Sequence, residues 1–225
     1  MPIPKKNTLE PPKSAKLRVF EILRDWIIDG TLQPGEKILD SEISDYFNIS
    51  RTPVREAMQM LSDRKLIEVF PGKGSVVTSP GAVNVRQIYR ILAEIHCLAL
   101  EFAWLYIEPS DISELKRLNR RLQESAQKHD HKDCCLCDYH FHNVFVRLAG
   151  NPFISDITDV LSSHVARLEN IYFGSMPDVT ESVRIHEAII EALENNDPET
   201  AHEQMHLNWM HTVDALMKAD PDLLS

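Results

Sequence analysis

One eight-residue stretch, Ser50-Arg51-Thr52-Pro53-Val54-Arg55-Glu56-Ala57, constrains the chain more than any other. Ser50 can cap a helix, and Pro53 falls in the first turn, where a missing N–H costs nothing. The pattern predicts a helix over about Thr52 to Arg64. Two short β-type runs follow at once, Leu66 to Phe70 and Ser75 to Thr78, joined by Pro71-Gly72-Lys73-Gly74. A helix feeding a hairpin with a glycine-rich, basic tip leaves few folds open. Upstream, Leu17, Phe20, Ile22, Leu23, Trp26 and Ile27 recur at helical spacing behind Ser14, a second capping serine. Gly30 ends that helix, and Gln33-Pro34-Gly35-Glu36 reads as a turn. A short helix over about Asp40 to Phe47, capped by Asp40 or Ser41, and a tight connection at Asn48-Ile49-Ser50 complete the order. Helix, helix, turn, helix, hairpin is the order of a winged helix-turn-helix.

Beyond residue 82 the periodicity is helical throughout. It predicts helices near 83–107, 111–129, 132–149, 153–173, 179–195 and 198–218, with breaks at Pro109, Gly150-Asn151-Pro152, Gly174 to Pro177 and Asn195 to Pro198. Six helices with short joins make an antiparallel bundle. The chain is therefore read as mainly α: a mobile arm over 1–13, a winged helix-turn-helix over 14–79, a linker over 80–83 and an all-helical domain over 84–218. No apolar stretch is long enough to span a membrane, and Met1 to Lys6 lacks the apolar core of a secretory signal. A cytoplasmic protein is expected. Cys134, Cys135 and Cys137 are crowded into four positions, which does not resemble a disulfide framework.

The net charge of −10 would argue against nucleic acid were it spread evenly. It is not: residues 1–80 carry 12 Lys and Arg against 11 Asp and Glu, and the rest carry 12 against 23. The N-terminal part is close to neutral and can present a basic face to phosphates. In a helix-turn-helix the second helix of the pair enters the major groove. Arg51 and Arg55 lie one turn apart on one face of it, able to fork onto guanine O6 and N7 or onto phosphate. Thr52 adds a hydroxyl, while Val54, Met58 and Leu61 fall on the opposite, core-facing side. At the hairpin tip Gly72 lets the backbone approach the minor groove and Lys73 adds a phosphate contact.

Leu39 through Leu61, and above all Ser-Arg-Thr-Pro-Val-Arg-Glu-Ala, resembles the signature of the GntR family of bacterial regulators, and the resemblance covers about residues 15–79. It implies a homodimer on a short pseudo-palindromic operator, with Arg51, Thr52, Arg55 and Gly72 at the contacts. Ser41 stands where some members place a DNA-contacting arginine, so it joins the candidate contacts, and Lys65 stands where glycine is usual. Both departures bear on which operator is read.

In the helical part, Asp138 and His142 are four residues apart and share a helix face, while His186 lies on a later helix. A carboxylate with imidazoles makes a borderline N/O site, suited to Zn²⁺, Ni²⁺ or Mn²⁺ rather than Ca²⁺. Asp138-Tyr139-His140-Phe141-His142, Ala149-Gly150-Asn151, His186 to Ala192 and Ala201 to Met205 resemble the FadR C-terminal (FCD) effector domain, over about residues 84–218. That resemblance implies a divalent metal held by an Asp and three His, with small carboxylates bound beside it. Asp138, His142 and His186 match; Asn208 stands where the third histidine is usual, and His211, one turn on, is a possible substitute. Arg90 and Glu94 fit the first helix of such a domain, where Arg90 either meets a ligand carboxylate or pairs with Glu94. The three clustered cysteines are outside the pattern: small reduced helix residues, or a thiophilic or redox-active group beside the same cavity.

An enzyme would leave the DNA-reading half unexplained, and no nucleophile motif accompanies the metal candidates. The expected function is a DNA-binding transcription regulator, a repressor released by a small carboxylate bound near a metal. The alternative is a metal- or thiol-sensing regulator using Cys134, Cys135 and Cys137.

Overall fold

Apolar residues three and four apart on three short helices build the first core. The helices are α1 (Ala15–Ile28), α2 (Asp40–Phe47) and α3 (Arg51–Asp63), with strands β1 (Lys37–Ile38), β2 (Ile67–Phe70) and β3 (Gly74–Val77). In this computed structural model, which describes residues 14–79, 85–172 and 179–219, the chain divides into two units, Met1–Ser79 and Pro80–Ser225. The first buries Val19, Phe20, Leu23 and Ile27 of α1 against Val54, Ala57 and Leu61 of α3, with Leu66, Ile67 and Val77 of the wing. The arm expected over 1–13 and the linker expected over 80–83 lie outside the described residues.

The wing is more than the expected hairpin. β1, only two residues long, falls between the expected turn at Gln33 to Glu36 and the expected helix from Asp40, where no strand was expected. It pairs antiparallel with β3, Lys37 opposite Val76, to give a three-stranded sheet of order β1-β3-β2. Gly74 makes the close approach possible. Its φ is +96°, and a Cβ there would stand 2.7 Å from Leu39 Cδ2 and 3.1 Å from the Ile38 carbonyl oxygen. Gly72 also has positive φ, +74°, but nothing lies within 4 Å of its Cβ direction. Gly74→Ala is therefore expected to destabilise the winged unit by about 1–3 kcal/mol, and Gly72→Ala by less. Thermal melts of the two variants side by side check the order.

The helix caps differ from expectation. Ser14 and Ser50 stand at the N-cap positions of α1 and α3, but neither side chain bonds its helix. The cap position of α2 is Leu39, not Asp40 or Ser41. Asp40 is the first helical residue, and its carboxylate accepts from Arg55 Nε at 2.6 Å, a charge-assisted bond that outweighs a neutral cap. Lys65, at the position where the family resemblance has glycine, adopts φ +62°, the left-handed region that glycine occupies without strain.

Among the described residues the second unit holds six α-helices: α4 (Val85–Ala103), α5 (Pro109–Gln127), α6 (His131–Ala149), α7 (Pro152–Tyr172), α8 (Thr180–Glu194) and α9 (Pro198–Ala219), with a short 3-10 turn, Trp104–Tyr106, after α4. The prolines read as breaks are starts: Pro109, Pro152 and Pro198 each occupy the first position of a helix, where their preset φ fits. Side-chain caps supplement them, as where Asn151 Oδ1 accepts from Phe153 N at 2.9 Å. α4 packs against α6, α7 and α9, while α5 packs against α6 and α8. Their shared core includes Tyr89, Leu92, Leu100, Phe141, Phe145, Ile185, Ile189 and Met205. Among the described residues no helix is long and apolar enough to cross a membrane.

Candidate DNA-reading face and metal centre

On α3 the apolar and polar faces separate cleanly. Val54, Met58 and Leu61 are buried, and Arg51, Thr52 and Arg55 are exposed. Ser41 is half-buried on α2, its carbonyl accepting from Ser44 Oγ at 2.8 Å. Gly72 and Lys73 are exposed at the wing tip, where Lys73 N closes the turn onto Phe70 O at 2.9 Å. A cleft between α3 and the wing is lined by Lys37, Asp40, Arg55, Gln59, Gly72 and Lys73 among others. Cations on one helix and on the adjoining wing thus border a single groove.

In the helical unit, Asp138 and His142 of α6 and His186 of α8 offer ligand atoms that all lie within 4.8 Å of one another. Nε2 of His186 is 3.4 Å from Nε2 of His142, and Asp138 oxygens stand 3.6 Å from the first and 4.0 Å from the second. Ligand nitrogens on a tetrahedral ion with bonds of 2.0–2.1 Å are about 3.4 Å apart. The proton positions follow from the neighbours. Asn119 Nδ2 donates to the Val183 carbonyl at 3.0 Å, so its Oδ1 faces His186 Nδ1 at 3.1 Å and accepts from it. His186, with no exposed surface, is held as the tautomer whose lone pair is on Nε2, the usual outer support of a metal-bound histidine.

Asn208 of α9 stands beside this group, Nδ2 3.0 Å from His142 Nε2 and donating to it. Two imidazole nitrogens and the Asp138 carboxyl group therefore converge, with the Asn208 N–H on His142 Nε2 as the one donor an ion would displace. Asn208 Oδ1 has no partner among the described residues, nor has His142 Nδ1. Turning the amide over would aim Oδ1 at an ion, so the residues fit a divalent metal with two imidazoles, a carboxylate and one weak amide oxygen. Burial keeps both histidines neutral, the form that ligates: it lowers the His186 pKa to about 3, and burial together with His186 and His96 lowers that of His142. Burial raises Asp138 to about 7.

Asp138 also lines a small pocket of about 60 Å³, with Cys134, Cys135, Glu169, Ser182 and Thr212. Glu169 is pushed up to about 8 by burial first and by the Asp138 charge second, and its Oε1 lies 3.5 Å from Tyr89 Oη. His211 lines the pocket rather than joining the ligand group. The thiols are poorly placed for reactivity. Burial raises Cys97 to about 12 and Cys134 to about 11, and raises Cys135 and Cys137 as well, so little thiolate is present at neutral pH.

Arg90 is not brought to this cavity: it is exposed on α4. Glu94 faces His206 Nε2 at 3.6 Å, not Arg90. Two Glu-x-x-His pairs were overlooked in the sequence, Glu199 with His202 and Glu203 with His206. They lie on the outer side of α9, where His202 and His206 face Glu101 and Glu94, and they do not build a second metal centre. Missed as well were Asn119, Glu169 and His96. His96 is buried, with both ring nitrogens unpartnered among the described residues, 5.2 Å from the His142 ring and 4.8 Å from that of Trp209. Its spacing from Tyr89, Leu92, Ala93 and Leu100 on the inner face of α4 was the available signal.

Residues 15–77 match the family described as bacterial regulatory proteins, gntR family, and residues 87–208 match the FCD domain. The chain is a GntR-family regulator with an FCD domain. It is 28% identical to the HTH-type transcriptional regulator YdhC of Bacillus subtilis, over 92% of this chain and 93% of that protein. It is 26% identical to the HTH-type transcriptional repressor RspR of Escherichia coli, over 88% and 86%. Among solved structures, E. coli McbR/YncC superposes with a TM-score of 0.78 at 21% identity, covering 92% of this chain and 99% of that one, which supports the fold. Membership brings DNA binding and transcription regulation, a class that is not enzymatic.

Proposed function

We propose that this regulator is a cytoplasmic, homodimeric repressor that a small carboxylate releases from a pseudo-palindromic operator, the carboxylate binding beside a divalent ion. The observation that carries the reading is the convergence of Asp138, His142 and His186, with Asn208 beside them, next to a pocket that Asp138 alone of the group also lines. Zn²⁺, Ni²⁺ and Mn²⁺ suit that N/O donor set. Operator contact falls to Arg51, Thr52, Arg55, Gly72 and Lys73, with Ser41 at the edge. Repression is supported by the resemblance to RspR. The dimer is supported by Ile91, Leu98, Phe102 and Leu105, exposed apolar residues on and just past α4 whose spacing forms one stripe.

The pocket assigns the ion a specific part. Its described lining holds the carboxylates of Asp138 and Glu169 and neither Lys nor Arg. A carboxylate ligand there needs the ion as its counter-charge. Bound metal would supply that charge and an open coordination position, while the protein orients the ligand through Ser182 and Thr212.

Elemental analysis of untagged protein is expected to find close to one ion per chain. Citrate or acetate, titrated as probes, should raise the melting temperature of the metal-loaded protein and leave the chelator-treated protein unmoved. A metal-free protein that takes up none of the three ions would end this reading. Burial of the thiols favours the metabolite response over a thiol response.

A further inference from the structure

Arg51 and Arg55 could each fork onto a guanine or clamp a phosphate, and the sequence does not choose between these. For Arg55 a neighbour does. Asp40, at the first position of α2, turns its carboxylate across to α3, where Oδ2 accepts from Arg55 Nε at 2.6 Å. The pair does little for stability: the Arg55 side chain is 68% exposed and that of Asp40 30%, and ion pairs this open contribute little. Its consequence is geometric. A guanidinium is a rigid plane, and fixing it through Nε stops it turning about its last side-chain torsions. What remains to be presented is the edge carrying the two terminal nitrogens, the edge that matches O6 and N7 of guanine in the major groove.

Charge points the same way. A phosphate approaching Arg55 would meet the Asp40 carboxylate at the same guanidinium, which cancels much of the attraction that makes arginine a backbone clamp. A neutral guanine edge pays no such penalty. The Arg55 hydrogen bond, with the Arg51 charge as a smaller contribution, holds the Asp40 carboxyl below its ordinary range, so the support is ionised at neutral pH. Asp40 and Arg55 share the cleft between α3 and the wing with Gln59 and Lys37.

We propose that Asp40 is a specificity-determining residue, one that presents Arg55 to a guanine base instead of the phosphate backbone. Asp40 acts through Arg55 and is in that sense a positioning residue. The inference rests on the DNA-reading role of α3 and names the base that one of its arginines reads.

Selection from a randomised duplex library by full-length wild type, Asp40→Ala, Asp40→Asn and Arg55→Ala, followed by anisotropy titrations across salt, tests it. Arg55→Ala and Asp40→Ala are expected to relax the same G·C position in each half-site, with discrimination there falling about tenfold. Asp40→Asn, which keeps an acceptor of the same shape, should retain most of that preference. Melting temperatures equal to wild type would show the fold intact. The proposal is overturned if Asp40→Ala selects the wild-type sequence with undiminished discrimination while all duplexes bind more tightly. It is overturned equally if Arg55→Ala weakens every sequence alike and lowers the salt slope by about one, the mark of a phosphate contact. A wild-type protein that selects no common sequence would instead sink the DNA-reading role itself.

Discussion

His186→Ala is expected to lower the affinity for Zn²⁺, Ni²⁺ or Mn²⁺ by more than the 10–100-fold typical of losing an outer partner of a ligand. The mutation removes one of only two imidazole donors, the one whose lone pair Asn119 fixes in direction. Asn119→Leu should reproduce part of that loss, within the 10–100-fold range, although Asn119 never touches the ion. Asn208→His should move the other way, strengthening binding about tenfold or more, because an imidazole replaces an amide that presently donates to His142. Competition against a chromophoric chelator measures all three. His186 also stacks on Phe141 at 3.7 Å between ring centroids, so circular dichroism must accompany the His186 variant. Equal affinity in His186→Ala and wild type would place the ion elsewhere.

The second large effect belongs to the other unit. Arg51→Ala is expected to weaken operator binding by about 1–3 kcal/mol per half-site if it reads a base, and by a uniform loss across sequences if it holds a phosphate. Arg51 is exposed at the start of α3 and contributes nothing to the core. Its removal should leave the melting temperature unchanged while gel-shift affinity falls. Unchanged affinity in Arg51→Ala and Arg55→Ala together would mean that α3 is not the helix that reads DNA.

Long periodic segments were readable because their signal is repeated. Each of the six helices of the second unit buries several residues at three- and four-residue spacing, and the wing announces itself through Gly72 and Gly74. β1 was not readable: two residues carry no alternation, and pairing begins with backbone bonds to a distant strand, Gly35 N to Val77 O at 2.8 Å and Val77 N to Glu36 O at 2.9 Å. The caps failed for a similar reason, since Asp40 had a better partner fifteen residues away. Asp138 and His142 could be paired from spacing alone, because one helix fixes their relation. That His186 meets them depends on how α5, α6 and α8 pack. Helical spacing could place His96 on the inner face of α4, but nothing local says that it meets His142, or that Asn119 meets His186. Arg90, matched to a family pattern, lies exposed on α4 and does not line the pocket beside Asp138.

The third strand has a consequence for the DNA itself. A hairpin standing alone can flex to suit the groove it enters; here β1 is laced to β3, and Gly74 leaves no slack between the wing and Leu39. The base of the wing is thus tied to the start of α2, whose Asp40 is in turn bonded to Arg55 of the reading helix. What must yield on contact is the duplex, so base steps beneath the wing that bend or narrow easily would be favoured though no side chain touches them.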